Sequence, residues 1–103
     1  MSVFKAIADP TRREILMMLS QQPASVNTIS KRFNMTRPAV SKHIKILSEN
    51  KLIYIQPDRL DKRQRNCHVH LDTLMEVQQY IAKLSEFWEQ RLDKLDDFLD
   101  NQE

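Results

Sequence analysis

One row of this 103-residue chain carries the side chains of metal and nucleophile chemistry: Cys67, His68, Val69 and His70 stand in sequence. Imidazole and thiolate are the ligands that zinc and copper favour. On an extended strand successive side chains alternate, so His68 and His70 share one face and Cys67 turns to the other. A three-ligand site is hard to build from that row, and the two histidines are expected to face solvent. No metal and no cofactor is expected. Enzymatic chemistry has as little support, because no nucleophile stands beside a plausible base and no paired carboxylates fall where a cleft is suggested. Glycine is absent altogether, which argues against glycine-rich phosphate loops and dinucleotide fingerprints. The chain is not expected to be an enzyme.

The second kind of chemistry is cationic, and it sits in NMTRPAVSKHIKIL, residues 34–47. Thr36 is a preferred N-cap, which puts Arg37 and Pro38 in the first helical turn, where the missing proline N–H costs nothing. At 100° per residue, Val40, Ile44 and Leu47 share one face, while Pro38, Ser41, Lys42 and Lys45 lie opposite. Such a helix is buried behind and basic in front, the form in which a helix is offered to the major groove. Arg37, Ser41 and Lys42 are candidates for base edges, and Thr36 and Lys45 for phosphates, with Pro38 among them. His43 falls about 60° from the centre of the apolar face, at a place that suits a polar-edge core residue, a phosphate donor or a proton-sensitive switch.

The surrounding elements must hold that helix. SVFKAIAD reads as a short helix with Phe4 and Ile7 on one side. Asp9 then caps and Pro10 opens a second helix through about Ser20, with Ile15, Leu16, Met18 and Leu19 buried and Pro23 closing the segment. Ser25 caps a third helix, VNTISKRF, whose Val26, Ile29 and Phe33 form one stripe, and Asn34-Met35 makes the turn into the basic helix. LIYIQP and RNCHVHL then resemble the arms of a β-hairpin. Arg59, Lys62 and Arg63 stand at its tip and Arg65 on the returning strand, long cationic donors suited to phosphate or minor-groove contact. Asp72 is expected to cap a long last helix carrying Leu74, Val77, Ile81, Leu84, Trp88, Leu92, Leu95 and Leu99 at spacings of three or four. That stripe is longer than a small domain can cover, so a homodimer is expected, with Phe4 and Ile7 joining those residues at the interface. Phe87, Trp88 and Phe98 are read as helix-packing core ahead of a small-effector pocket.

Length and composition set the bounds. A chain of 103 residues with 41% hydrophobic content suits one small domain. No run approaches the roughly 18 apolar residues of a membrane helix, and no secretory pattern opens the sequence. Cytoplasmic placement without membrane insertion is expected, and the single cysteine, Cys67, is compatible with it. The formal charge of +2 conceals a split: residues 1–70 hold 13 Lys/Arg against 5 Asp/Glu, and residues 71–103 hold 3 against 9. The first part is suited to a polyanion. The acidic ending, DDFLDNQE, reads as a solubilising surface, with docking of an anti-repressor protein left open.

The pieces KAIADPTRREILMML and VNTISKRFNMTRPAVSKHIKILSENKLI, followed by a basic hairpin, resemble the ArsR-like winged helix-turn-helix regulators, and FWEQRLDKLDDFL is similar to their SdpR-type branch. The resemblance implies a mainly α fold of about five helices with a two-stranded wing. It further implies a dimeric repressor of operator DNA, often acting on its own operon. Within one domain, 1–103, the helix-turn-helix takes about 25–50, the wing about 52–71 and the dimerisation helix about 72–100. Metal-sensing members commonly carry Cys-x-Cys in the first helix of the motif or an Asp/His array on the last helix. ASVNTISKRF has no cysteine, and no histidine follows Asp72. The family's wing often turns on glycine, and DRLDKRQ must turn without it. The rival to a DNA-binding repressor is a protein–protein interaction module built on the same scaffold.

Overall fold

The computed structural model describes residues 2–101; Met1, Gln102 and Glu103, and with them the last two residues of the acidic ending, lie outside it. Its elements run α1 (Val3–Ala8), α2 (Pro10–Gln21), α3 (Val26–Phe33), α4 (Arg37–Glu49), β1 (Ile53–Pro57), β2 (Arg65–Val69) and α5 (Leu71–Asp100). The first four helices begin on a side chain that accepts from the amide three positions on. Ser2 takes Lys5 N at 3.2 Å, Asp9 takes Arg12 N at 3.0 Å, Ser25 takes Thr28 N at 3.2 Å and Thr36 takes Ala39 N at 3.3 Å. Each cap satisfies an amide that has no partner inside its helix, and Pro10 and Pro38 occupy first-turn positions where no donor is needed.

Asp72 departs from its expected place. The last helix starts one residue earlier, at Leu71, and Asp72 lies in its first turn, where a carboxylate favours the positive end of the helix without capping it. The helix start is held instead by main-chain ties to the segment after α4. Thr73 Oγ1 donates to Lys51 O at 2.6 Å, and His70 N donates to Leu52 O at 2.8 Å. Lys51 itself takes the left-handed region at φ 59°, as does Asn34 at φ 52°. Among the described residues this glycine-free chain thus makes two left-handed turns, on a lysine and an asparagine, the first at a backbone cost of about 1 kcal/mol or more.

The chain divides into two compact units, one ending at Thr73 and one beginning at Leu74. The first unit is organised by the expected stripes. Ile15, Leu16 and Leu19 of α2, Ile29 of α3, and Val40, Ile44 and Leu47 of α4 are buried together with Leu52, Ile53 and Cys67. The wing is a two-stranded antiparallel sheet in which Ile53 faces Val69, Tyr54 faces His68 and Pro57 faces Arg65. Its second strand is also paired on its other edge. Cys67 N donates to Ala24 O at 2.8 Å and Ala24 N to Cys67 O at 3.4 Å, which fastens the wing to the α2–α3 connection. In the second unit Ile81, Leu84, Trp88, Leu92, Leu95 and Leu99 stay between 40% and 60% exposed in the single chain. No described helix is long and apolar enough to cross a membrane.

Leu47 is fully buried, whereas Ser41 on the same helix is exposed. Leu47→Ala is expected to lower unfolding free energy by about 2–5 kcal/mol, and Ser41→Ala to change it by no more than about 0.5 kcal/mol. Urea unfolding at fixed protein concentration checks this, and equal effects of the two substitutions would contradict the assigned rotation of α4.

Candidate nucleic-acid interface

The connection between α3 and α4 is short because three residues close it. Asn34 N–H turns back to Lys31 O at 3.4 Å, Met35 N donates to Ser30 O at 3.1 Å, and the buried Ser30 hydroxyl donates to Met35 O. Thr36 then caps α4, and its carbonyl accepts from Val40 N at 3.1 Å. With α4 entered at this point and Val40, Ile44 and Leu47 buried, its rotation is fixed. Thr36, Arg37, Pro38, Ser41, Lys42 and Lys45 are all exposed, as the 100° spacing requires. Lys45 Nζ comes within 4.0 Å of Glu49 Oε1 on the same helix. Both ends are more than 60% exposed, so this pair is weak and leaves Lys45 available.

The wing tip turns without glycine because aspartates replace it. Asp58 Oδ2 accepts from both Leu60 N and Asp61 N at 3.0 Å, and its Oδ1 accepts from Asn66 Nδ2 at 3.0 Å. Asp61 Oδ1 accepts from Arg63 N at 3.0 Å, and Asp58 N donates to Gln64 O at 2.7 Å across the base. Aspartate side chains bonding the backbone two or three residues on are an established substitute for a glycine turn. The amides of Asp61 and Leu60, with the Asn66 side chain, hold the Asp58 carboxyl below the usual aspartate range.

This tip brings predicted residues together. A cleft of about 500 Å³ is lined by Ser25 and Asn27 at the start of α3, Arg37 at the start of α4, and Arg63 and Arg65 of the wing, with Asp61 and Gln64 completing it. Three arginines, one from α4 and two from the wing, thus line one space, a composition suited to phosphate. Arg59 is placed elsewhere, beside a hollow it shares with Gln22, Pro23, Gln56 and His68, and Lys62 is exposed without lining either space. Sequence reasoning does not find Ser25 and Asn27 as contacts. Ser25 is legible there only as a cap, and its proximity to Arg63 depends on how the wing folds back.

Comparison with known proteins bears on this arrangement. The profile of the bacterial regulatory protein arsR family matches residues 9–54. The chain is similar to the transcriptional repressor SdpR of Bacillus subtilis, 42% identical over 52 residues that cover 50% of this chain and 58% of that protein. It also resembles an HTH-type transcriptional regulator of Mycobacterium tuberculosis, 37% identical over 54 residues, 52% of this chain and 50% of that one. The matched stretches thus span only about half the length of these two relatives. The crystal structure of an ArsR family transcriptional regulator is 36% identical, covers 84% of this chain and 86% of its own, and superposes with a TM-score of 0.71. The chain belongs to the arsR family.

In this arsR-family fold His43, Cys67, His68 and His70 are not among the residues that line the arginine cleft. His43 is half-buried, with its side chain 21% exposed, and its Nδ1 faces Arg12 Nη1 at 3.4 Å and Asp9 Oδ2 at 3.9 Å. It occupies the polar edge of the apolar face, half-buried where the neighbouring Lys42 is exposed. His68 and His70 share a face as the alternation requires, but they are not free in solvent. Tyr54 stacks on His68 with ring centroids 5.1 Å apart and meets His70 edge-on at 6.0 Å, leaving both half-buried. The cross-strand pairing of Tyr54 with His68 is what covers them. Cys67 points the other way into the core, where burial pushes its thiol pKa up and makes it a poor nucleophile. Among the described residues no group of three or more His, Cys, Asp or Glu side chains converges as a metal site would.

Because the folded Asp58 titrates below its unfolded value, the order it lends the wing is complete above the ordinary aspartate range and is lost as pH falls through the depressed value. The Leu60 and Asp61 amides are therefore expected to keep their resonance positions down to about pH 4 and to move together below it. Amide NMR across an acid titration checks this; a shift centred above pH 5 would contradict the assignment.

Proposed function

We propose that the chain is a homodimeric transcriptional repressor that binds duplex operator DNA through α4 and the wing. The observation that carries this reading is the convergence of Arg37, Arg63 and Arg65 on one cleft beside the exposed Arg37–Ser41–Lys42–Lys45 face. Arg37, Ser41 and Lys42 approach base edges in the major groove, with Pro38 packed beside them, while Thr36, Lys45 and the wing cations Arg59, Lys62, Arg63 and Arg65 approach phosphates and the minor groove. His43, at the polar edge of the same helix, adds a donor close to the backbone. The 42% identity to SdpR, whose name describes a transcriptional repressor, supports the sign of regulation.

Pairing through the last helix supplies the second half of the site. Trp88 and Leu92 remain 60% and 57% exposed in the single chain, and a second copy is the partner that covers such a stripe symmetrically. Phe4 and Ile7 of α1 contribute with Leu74, Val77, Ile81, Leu84, Leu95 and Leu99. Two-fold symmetry sets half-sites about one DNA turn apart, roughly 34–36 Å between centres, and occupancy of a promoter excludes polymerase. The protein's own upstream region is the first operator to test.

A footprint on that region at controlled salt is expected to reveal a palindromic protected site. Arg37→Ala or Lys42→Ala should weaken binding to it by about 1–3 kcal/mol, whereas Lys45→Ala or Arg63→Ala should act mainly by reducing the salt slope by about one. Leu92→Asp is expected to yield monomers in sedimentation and to cost operator affinity at least about tenfold. A monomeric wild-type protein, or affinities insensitive to these substitutions at moderate salt, would sink the reading.

A further inference from the structure

The corner between α1 and α2 holds a polar cluster that the contacts of α4 and the wing leave unused. α1 has six residues, too few to hold its own hydrogen bonds in isolation. Its last four carbonyls are all met by guanidiniums of α2. Arg12 Nη2 donates to Lys5 O at 3.2 Å and its Nε to Ala6 O at 2.7 Å, while Arg13 Nη1 donates to Ile7 O at 3.0 Å and to Ala8 O at 2.9 Å. These are the carbonyls a helix end leaves without partners, and cations are favoured there.

Arg12 does more than close α1. Its third nitrogen, Nη1, lies 3.4 Å from His43 Nδ1, across 31 residues of sequence and on the proposed recognition helix. A guanidinium only donates, so this contact requires His43 Nδ1 to carry a lone pair, which means a neutral ring with its proton on Nε2. The same Nδ1 is 3.9 Å from Asp9 Oδ2. A protonated ring has no acceptor to offer Arg12, and its Nδ1–H is drawn to that carboxylate. From α2 and its cap, therefore, Arg12 and Asp9 face the imidazole, and Lys42 adjoins it along α4. Among the described residues no hydrogen bond or ion pair joins His43 to α3 or β1, the other elements packed on this helix.

We infer that Arg12 is a positioning residue for operator binding: its guanidinium fastens the carbonyl end of α1 to His43 of α4, and the proton on the imidazole decides whether that tie holds. The aliphatic stripe fixes how α4 is rotated, but His43 sits on the border between that stripe and the cationic face, next to Lys42. A tether at this border sets the position of the contact face against α1. Since α1 also carries Phe4 and Ile7, the tie connects the surface proposed for pairing with the surface proposed for DNA. The inference rests on α4 being the recognition helix, and its test separates the two.

The test uses the full chain, the footprinted operator and a scrambled duplex of equal length. Lysine keeps the charge of Arg12 but cannot reach two carbonyls and a ring nitrogen with one planar fork. Arg12→Lys is expected to lower operator affinity about five- to tenfold, to leave scrambled-duplex affinity within about twofold, and to leave the salt slope unchanged, since the number of cations is the same. The wild-type ratio of operator to scrambled affinity, measured at about pH 8 and at about pH 5.5, should fall at least about threefold on acidification, and His43→Gln should abolish that dependence. Nitrogen-15 NMR of the wild-type protein at about pH 8 should find the His43 proton on Nε2. A proton on Nδ1 there, the same pH profile in His43→Gln as in wild type, or a salt slope reduced by Arg12→Lys would each overturn the inference. Should Arg12→Lys fail to fold, the pH profile and the ring proton decide. A wild-type protein that never distinguishes the two duplexes would defeat the DNA reading, and with it the positioning role, whereas the ring proton still judges the tie itself.

Discussion

Burial of Val40, Ile44 and Leu47 is the constraint from which the rest of the first unit takes its orientation. Val40 and Leu47 are wholly inaccessible and Ile44 nearly so, which leaves α4 a single rotation about its axis. Each such side chain contributes about 1.5–3 kcal/mol on leaving water, so rotating the helix by half a turn would expose three of them and bury cations without partners. The exposed row from Arg37 to Lys45 is therefore a consequence of the core. Thr36 and the Asn34 turn fix where the helix starts, and the stripe fixes which way it faces.

Polar side chains take over the tasks that glycine performs in other chains. Asn34 and Lys51 accept left-handed conformations, Asp58 and Asp61 close the wing tip, and Arg12 and Arg13 terminate α1. The carboxylates of Asp58 and Asp61 and the guanidiniums of Arg12 and Arg13 are partnered within the first unit. Arg37, Lys42, Lys62 and Arg65, in contrast, make no ion pair among the described residues, which leaves a positive surface after the internal pairs are counted. That distribution gives physical meaning to the charge split along the chain.

Features set by neighbours along the chain are legible in the amino-acid sequence alone. The caps at Asp9, Ser25 and Thr36, the span of α3 and the face of α4 all follow from short-range rules and helical spacing, and they stand where the spacing puts them. The hairpin and its strands are legible for the same reason. What the sequence conceals depends on the chain returning upon itself. The Ala24–Cys67 pairing, the cleft that Arg63 and Arg37 both line, the cover of Tyr54 over the histidines and the reach of Arg12 to His43 join residues far apart in sequence. Asp72 misleads because a carboxylate ahead of an apolar run looks like a cap, whereas the actual helix start is set by Thr73 and His70 bonding to the segment after α4. The carboxylate near His43 is hidden likewise, since Asp9 is 34 positions away in sequence.

We propose that the cations presented by α4 and the wing tip meet duplex DNA and that the acidic last helix does not. Lysine acylation followed by mass spectrometry, with and without the operator duplex, reads this directly because both regions carry exposed lysines. Duplex is expected to protect Lys42, Lys45 and Lys62 and to leave Lys83 and Lys94 reacting as before. Protection of Lys83 and Lys94 with Lys42 and Lys45 unchanged would contradict it.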